Sequence, residues 1–229
     1  MGRPSRNIDA LLLAAGRELF PELGAAGLSV RRVAAHAGVN PGMFHYHFGT
    51  KDAFVARLLQ DIYDSMFAHL ELAAASGPAP TALHAALCVL GRFARDHAKL
   101  LRRLFVDALA GDRHAGAFLR ANVPRHLGVL ARLIEAGQRE GALRRMPVAQ
   151  AVALLGGGVA APLVVASALT DTHLAGRASA RAFADAVATD SAIAVRAECA
   201  LAGLAVPTAH AAHAKRAVRA AQVPRRLRR

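Results

Sequence analysis

Apolar residues recur at helical spacing through nearly the whole chain, and the pattern breaks at a few sharp places. Ile8, Leu11, Leu12, Ala15, Leu19 and Phe20 stand at i, i+3, i+4, i+7, i+11 and i+12, which predicts a first helix starting near Ile8. Pro21 deprives the Arg17 carbonyl of its helical partner, so that helix is expected to end or distort there. Gly24 and Gly27 mark the loop that follows. Val30, Val33, Ala34 and Ala37 then stripe a short second helix behind Ser29, whose hydroxyl can accept from an otherwise unpaired N–H of the first turn. At Gly38 a backbone with positive φ costs little, so the helix can stop abruptly. Asn40 is the next cap and Pro41 takes the first helical position, where its missing N–H removes nothing. Phe44, with His47 or Phe48, gives this third helix its buried side. Small Ala34 and the turn at Gly38 let the two short helices cross closely, which is the helix-turn-helix pattern.

Thr50 caps a fourth helix, and Phe54, Leu58, Ile62, Met66, Leu70 and Ala73 carry its stripe over about 24 residues, long for a globular protein. Such a helix reads as a connector, over about 50–74, between a head at 1–52 and a second domain at 53–206. Further helices are expected over 81–97, 99–110, 113–121, from Pro124 to about 140, over 147–169, and over 178–204 with an interruption near Thr189-Asp190. No alternating Val/Ile/Thr/Tyr runs stand between turn dipeptides, so no sheet is expected. The fold class is all-α: a three-helix helix-turn-helix head joined by the long fourth helix to a C-terminal helical domain.

Charge then changes the picture. The formal net charge is +13, but seven cations lie in the acid-free segment 207–229, which leaves +6 on the rest. That tail reads as a disordered basic extension or as a nonspecific DNA contact. Arg31 and Arg32 occupy the first turn of the second helix and Lys51 the first turn of the fourth. Cations there oppose the helix dipole at about 0.3–1 kcal/mol each. The placement makes sense where helix ends face phosphates, which N–H groups and cations bind together. Arg3 and Arg6 form a short arm with the same chemistry.

The stretch 149–169 is uncharged and about long enough to span a bilayer. It contains Gly156-Gly157-Gly158 and Pro162 and is rich in Ala, so burial in a protein interface is the better reading. The N-terminus is polar, without the apolar core of a secretory signal. Cys88 and Cys199 read as small buried hydrophobes in a reducing compartment, and a cytoplasmic location is expected. No G-x-S-x-G, P-loop, dinucleotide fingerprint or HExxH occurs, so no enzyme activity is expected. His45-x-His47 and His210-x-x-His213 have neither the ligand count nor the spacing of a zinc site, so no metal and no cofactor are assigned.

From Ile8 to Phe54 the chain resembles the TetR/AcrR transcriptional regulators. The resemblance is carried by a helix ending in ELF, by SVRRVAAHAGV, and by GMFHYHFGTKDAF, with Gly42, Tyr46, His47, Phe48 and Lys51 where that family's head motif has them. The remainder is similar in length, in helical character and in a GQREGALR turn. The resemblance implies a homodimer whose recognition helices enter successive major grooves of a palindromic operator, paired through the last two core helices (about 147–169 and 178–204). It also implies a C-terminal domain that binds a small apolar or amphipathic effector and releases DNA, hence a repressor. Carried over, Pro41 and Gly42 lie nearest base edges. Asn40, His45, Tyr46 and Lys51 contact phosphates, with Ser29 and Arg31 helping. The family often has Tyr at the place of His45 and Lys or Arg at that of Pro41. Pro41 brings no side-chain donor, so base readout shifts toward Met43, thymine methyls or groove shape. The effector pocket is expected among Phe93, His97, Phe105, Phe118, His126, Leu130 and Gly157. The alternative from another class is an architectural protein that binds DNA nonspecifically through its tail and net charge.

Overall fold

The computed structural model describes residues 7–172 and 176–206. Expectations for Arg3, Arg6 and the basic tail fall outside the described residues. The helices are α1 (Ile8–Gly27), α2 (Val30–His36), α3 (Pro41–Phe48), α4 (Lys51–Ala74), α5 (Ala79–Asp96), α6 (Ala98–Leu109), α7 (Arg113–Arg139), α8 (Val148–Asp171), α9 (Arg177–Ala188) and α10 (Asp190–Leu204). Among the described residues there is no strand; one isolated bridge pairs Leu143 with Ala205.

The three local caps form as their side chains dictate. Ser29 Oγ accepts from Arg32 N at 3.3 Å, Asn40 Oδ1 from Gly42 N at 2.7 Å, and Thr50 Oγ1 from Ala53 N at 3.1 Å. Between them Gly38 and Gly49 take positive φ. The interruption expected near Thr189-Asp190 is a true break, because Thr189 leaves the helix in an extended conformation and caps α10 through Ala192 N.

Two prolines depart from expectation. α1 continues past Pro21 and breaks instead at Gly24, whose φ of 63° and ψ of −177° lie in a region open to glycine alone. α7 runs unbroken through Pro124. Both residues whose carbonyls lose a helical partner, Arg17 and Arg120, are solvent-exposed, so water can satisfy those groups and packing keeps the helices whole.

Two apolar clusters hold the chain together. The first joins Leu12, Phe20, Val33, Phe44, Phe54, Leu58 and Ile62 with Leu100 and Leu104 of α6 and Ala115 of α7. The second joins Tyr63, Met66 and Leu70 with α5, α7, α8 and α10. Along α4 the change from the first cluster to the second falls between Ile62 and Tyr63. Phe93 and Phe118 pack against both clusters. The centre of the first is aromatic, with Phe54 4.9 Å from both Phe44 and Phe48. Gly16 admits this group, since a Cβ there would stand 2.7 Å from the Phe54 ring.

Candidate nucleic-acid interface

The segment 29–51 carries Arg31, Arg32 and Lys51 and no acid. Its buried residues are Val33, Ala34 and Phe44, which turn one side of each short helix inward. Asn40, Pro41, Gly42, His45 and Tyr46 are thereby left together on the exposed face of α3, with Arg31 and Arg32 exposed at the start of α2. Tyr46 is 70% exposed. A buried position is unavailable to its ring, because the opposite side of α3 is filled by Phe44 and Phe48. Met43 is half-buried at the edge of this face.

Each polar group on the face has a defined remaining capacity. Asn40 uses its side-chain oxygen on Gly42 N, which leaves its amide NH2 to donate outward. His45 Nδ1 lies 3.0 Å from the Gly49 carbonyl, so the ring closes the C-terminal end of α3 through that nitrogen. Its Nε2 then donates to phosphate only in the doubly protonated ring. Lys51 is half-buried and its ammonium donates to the Ala25 carbonyl at 3.0 Å, pinning the start of α4 to the end of α1. Two further N–H bonds of the ammonium are free for an anion. His47 faces inward, and its Nε2 is buried without a hydrogen-bond partner among the described residues.

Several polar ties that orient this face join residues far apart in sequence and carry no local signal. His36 Nε2 lies 2.6 Å from Glu18 Oε2 and links α2 to α1. Arg17 pairs with Asp61, linking α1 to α4. Asp52, beside Lys51, holds both Arg113 and His114 at the start of α7, the latter at 3.2 Å. Lys99 of α6 reaches Glu22 of α1 at 3.3 Å.

The residues expected to form an effector pocket are dispersed. Phe93 and His97 line one groove of about 720 Å³ beneath α4. Phe118 packs between the two clusters, and Leu130 is fully buried in the second. His126 approaches the Tyr63 hydroxyl at 3.4 Å, while that hydroxyl donates to the Asn122 carbonyl at 2.8 Å. Burial holds His126 below the ordinary imidazole range. Phe105 is 53% exposed on α6, and Gly157 lies on the exposed side of α8 with open space around it.

Comparison with known proteins fits this geometry. Residues 12–58 match the family described as bacterial regulatory proteins, TetR family. An HTH-type transcriptional repressor of Mycobacterium tuberculosis is 42% identical over 55 residues, 24% of this chain and 29% of the repressor. The HTH-type transcriptional repressor KstR2 of Rhodococcus jostii is 33% identical over 76 residues, 33% of this chain and 36% of that protein. The matched stretches thus span about a third of the curated relatives' length. Over the whole fold, the ketosteroid transcriptional regulator KstR2 of Mycobacterium tuberculosis superposes with a TM-score of 0.62 at 16% identity, covering 90% of this chain and 97% of that one. A tetR-family regulatory protein from Rhodococcus superposes with a TM-score of 0.59 at 19% identity, covering 84% and 97%. Residues 12–58 thus carry the head of the TetR family, and the helices as a whole follow the fold of TetR-family structures.

Proposed function

We propose that the chain is a sequence-specific, DNA-binding transcriptional regulator that acts as a homodimeric repressor on a palindromic operator and is released by a small-molecule effector. The observation that carries this reading is the exposed, acid-free face of α2 and α3, where Tyr46, Arg31 and Arg32 are open to solvent and Asn40 keeps its amide NH2 for an outside acceptor. Pro41, Gly42 and Met43 are assigned to base edges; Asn40, His45, Tyr46, Lys51, Ser29 and Arg31 are assigned to phosphates. The Mycobacterium tuberculosis and Rhodococcus jostii relatives are transcriptional repressors, which supports the sign of regulation.

A second copy is assigned to the outer face of α8 and α10. Leu154, Val165 and Val195 stand about half exposed there, and only 22% of the most apolar window of α8 is buried within one chain. By length and composition α8 could cross a membrane, yet it packs on α5, α6, α7, α9 and α10, as a central helix of a bundle does. A partner surface accounts for the remaining apolar face.

Footprinting on DNA upstream of the chain's own gene tests the reading. A short protected palindrome is expected, weakened by Tyr46→Ala. Coating without sequence preference would replace it with the architectural alternative.

A further inference from the structure

Two grooves meet at His97, where α1, α4 and the α5–α6 corner converge. One, of about 400 Å³, runs to Ser167 and Thr170 of α8; the other, of about 720 Å³, runs along α4 to His69. Arg17, Ile62, Asp96 and His97 line both, so the grooves adjoin along one wall. Their charge differs. The smaller presents Arg17, Arg95 and Lys99 against the single carboxylate of Asp96, while the larger presents Arg17 and Arg92 against Asp61, Asp64 and Asp96. The lining of the smaller groove thus carries three cations to one carboxylate, and Leu100, Leu163 and Ala166 give it an apolar floor.

Each of its cations is already held by a carboxylate: Arg17 by Asp61, Arg95 by Asp96 and Asp190, and Lys99 by Glu22 and Asp171. These pairs are partly exposed, and pairs of that kind contribute about 0–1 kcal/mol, so an incoming carboxylate exchanges for one at small cost. One polar group in the same wall is unsatisfied: Ser167 Oγ is buried without a partner among the described residues. The half-buried His97 ring lines the wall beside it. Burial, with Arg17 adding to it, keeps His97 below the ordinary imidazole range, so the neutral ring offers one donor and one acceptor.

We infer that this cleft takes an amphipathic organic acid, whose carboxylate replaces Asp61 on Arg17 and whose apolar body lies against Leu100, Leu163 and Ala166. The assignment rests on the effector-responsive reading above and names the chemistry of the effector. Arg17 belongs to α1 and Asp61 to α4, so the exchange removes a tie between the helix that packs on the recognition helix and the helix that leads to the second cluster. A ligand without a negative charge leaves that tie in place.

The full chain is titrated calorimetrically with octanoate and with 1-naphthoate, each beside its neutral counterpart, 1-octanol and 1-naphthalenemethanol. Each acid is expected to bind at least about tenfold more tightly than its alcohol, a difference of about 1.4 kcal/mol. Arg17→Ala should abolish the acid preference and Arg17→Lys retain most of it. Asp61→Asn, which removes the competing carboxylate, should tighten the acid. Arg17 is 45% exposed, so its replacement leaves the fold intact, as a thermal melt verifies. Equal affinities for acid and alcohol, or an acid preference untouched by Arg17→Ala, would overturn the assignment. Gel shifts on the same preparations separate the two readings: loss of specific DNA binding in the free protein defeats the regulator, whatever the titration shows.

Discussion

Lys51 shows how one side chain can serve two ends. Its ammonium holds the Ala25 carbonyl and still has donors for a phosphate, whereas Tyr46 touches little within the fold and is 70% exposed. Their alanine variants should therefore part company. Tyr46→Ala is expected to weaken operator binding with an unchanged melting temperature. Lys51→Ala is expected to weaken binding and also lower the melting temperature by about 2–4 °C, the effect of losing roughly 1 kcal/mol in a chain of this size. Histidines give a second residue-level test. Burial holds His97 and His126 below the usual 6.5, so the unfolded chain binds protons that the folded chain declines. Stability is then complete above about pH 6.5 and falls as the pH drops below it. His126→Gln, which keeps a polar partner for Tyr63, should flatten that fall in urea midpoints measured between about pH 7 and pH 5. The caps at Ser29, Asn40 and Thr50 were legible because a cap lies within three residues of the N–H it satisfies. The Lys51–Ala25 bond spans 26 positions and leaves no mark in the local pattern.

At the scale of elements, the turns divide by what surrounds them. Gly24 and Gly38 both have positive φ, but a Cβ at Gly24 would stand 2.5 Å from the Arg103 guanidinium and 2.6 Å from Asp107, whereas Gly38 has open space. Gly38→Ala should cost about 1–2 kcal/mol, the penalty for a left-handed residue. Gly24→Ala should cost clearly more, and thermal unfolding of the two variants measures the difference. Helix existence followed from apolar spacing almost everywhere, while helix ends at proline did not. Proline removes one hydrogen bond, and whether a helix then stops depends on tertiary packing, which spacing does not encode. Thr189 differs because its own side chain supplies the next cap.

At the scale of the molecule, the proposed dimer makes a direct demand. Placing a carboxylate in the centre of the outer face, by Leu154→Asp with Val195→Asp, should halve the mass seen by sedimentation equilibrium and leave the helical circular dichroism in place. The head was the most legible part of the chain, because its pattern and its charge lie in one contiguous segment. The cleft around His97 was the least legible. Its wall collects Arg17, Ile62, His97 and Ser167 from separate helices, and of the residues expected to meet there only Phe93 and His97 do so.

The apolar cluster that holds the recognition helix also takes in Leu100 and Leu104 of α6, which packs on α1, and Ala115 of α7. A graft that exchanged residues 1–58 for the head of a relative would inherit half of a packing surface and meet a mismatched second half. Reprogramming the DNA preference of such a protein by transplantation therefore requires two separate segments to travel together, the head and the inward side of α6. Replacing only the exposed residues of α3 avoids the problem, since none of them belongs to that shared surface.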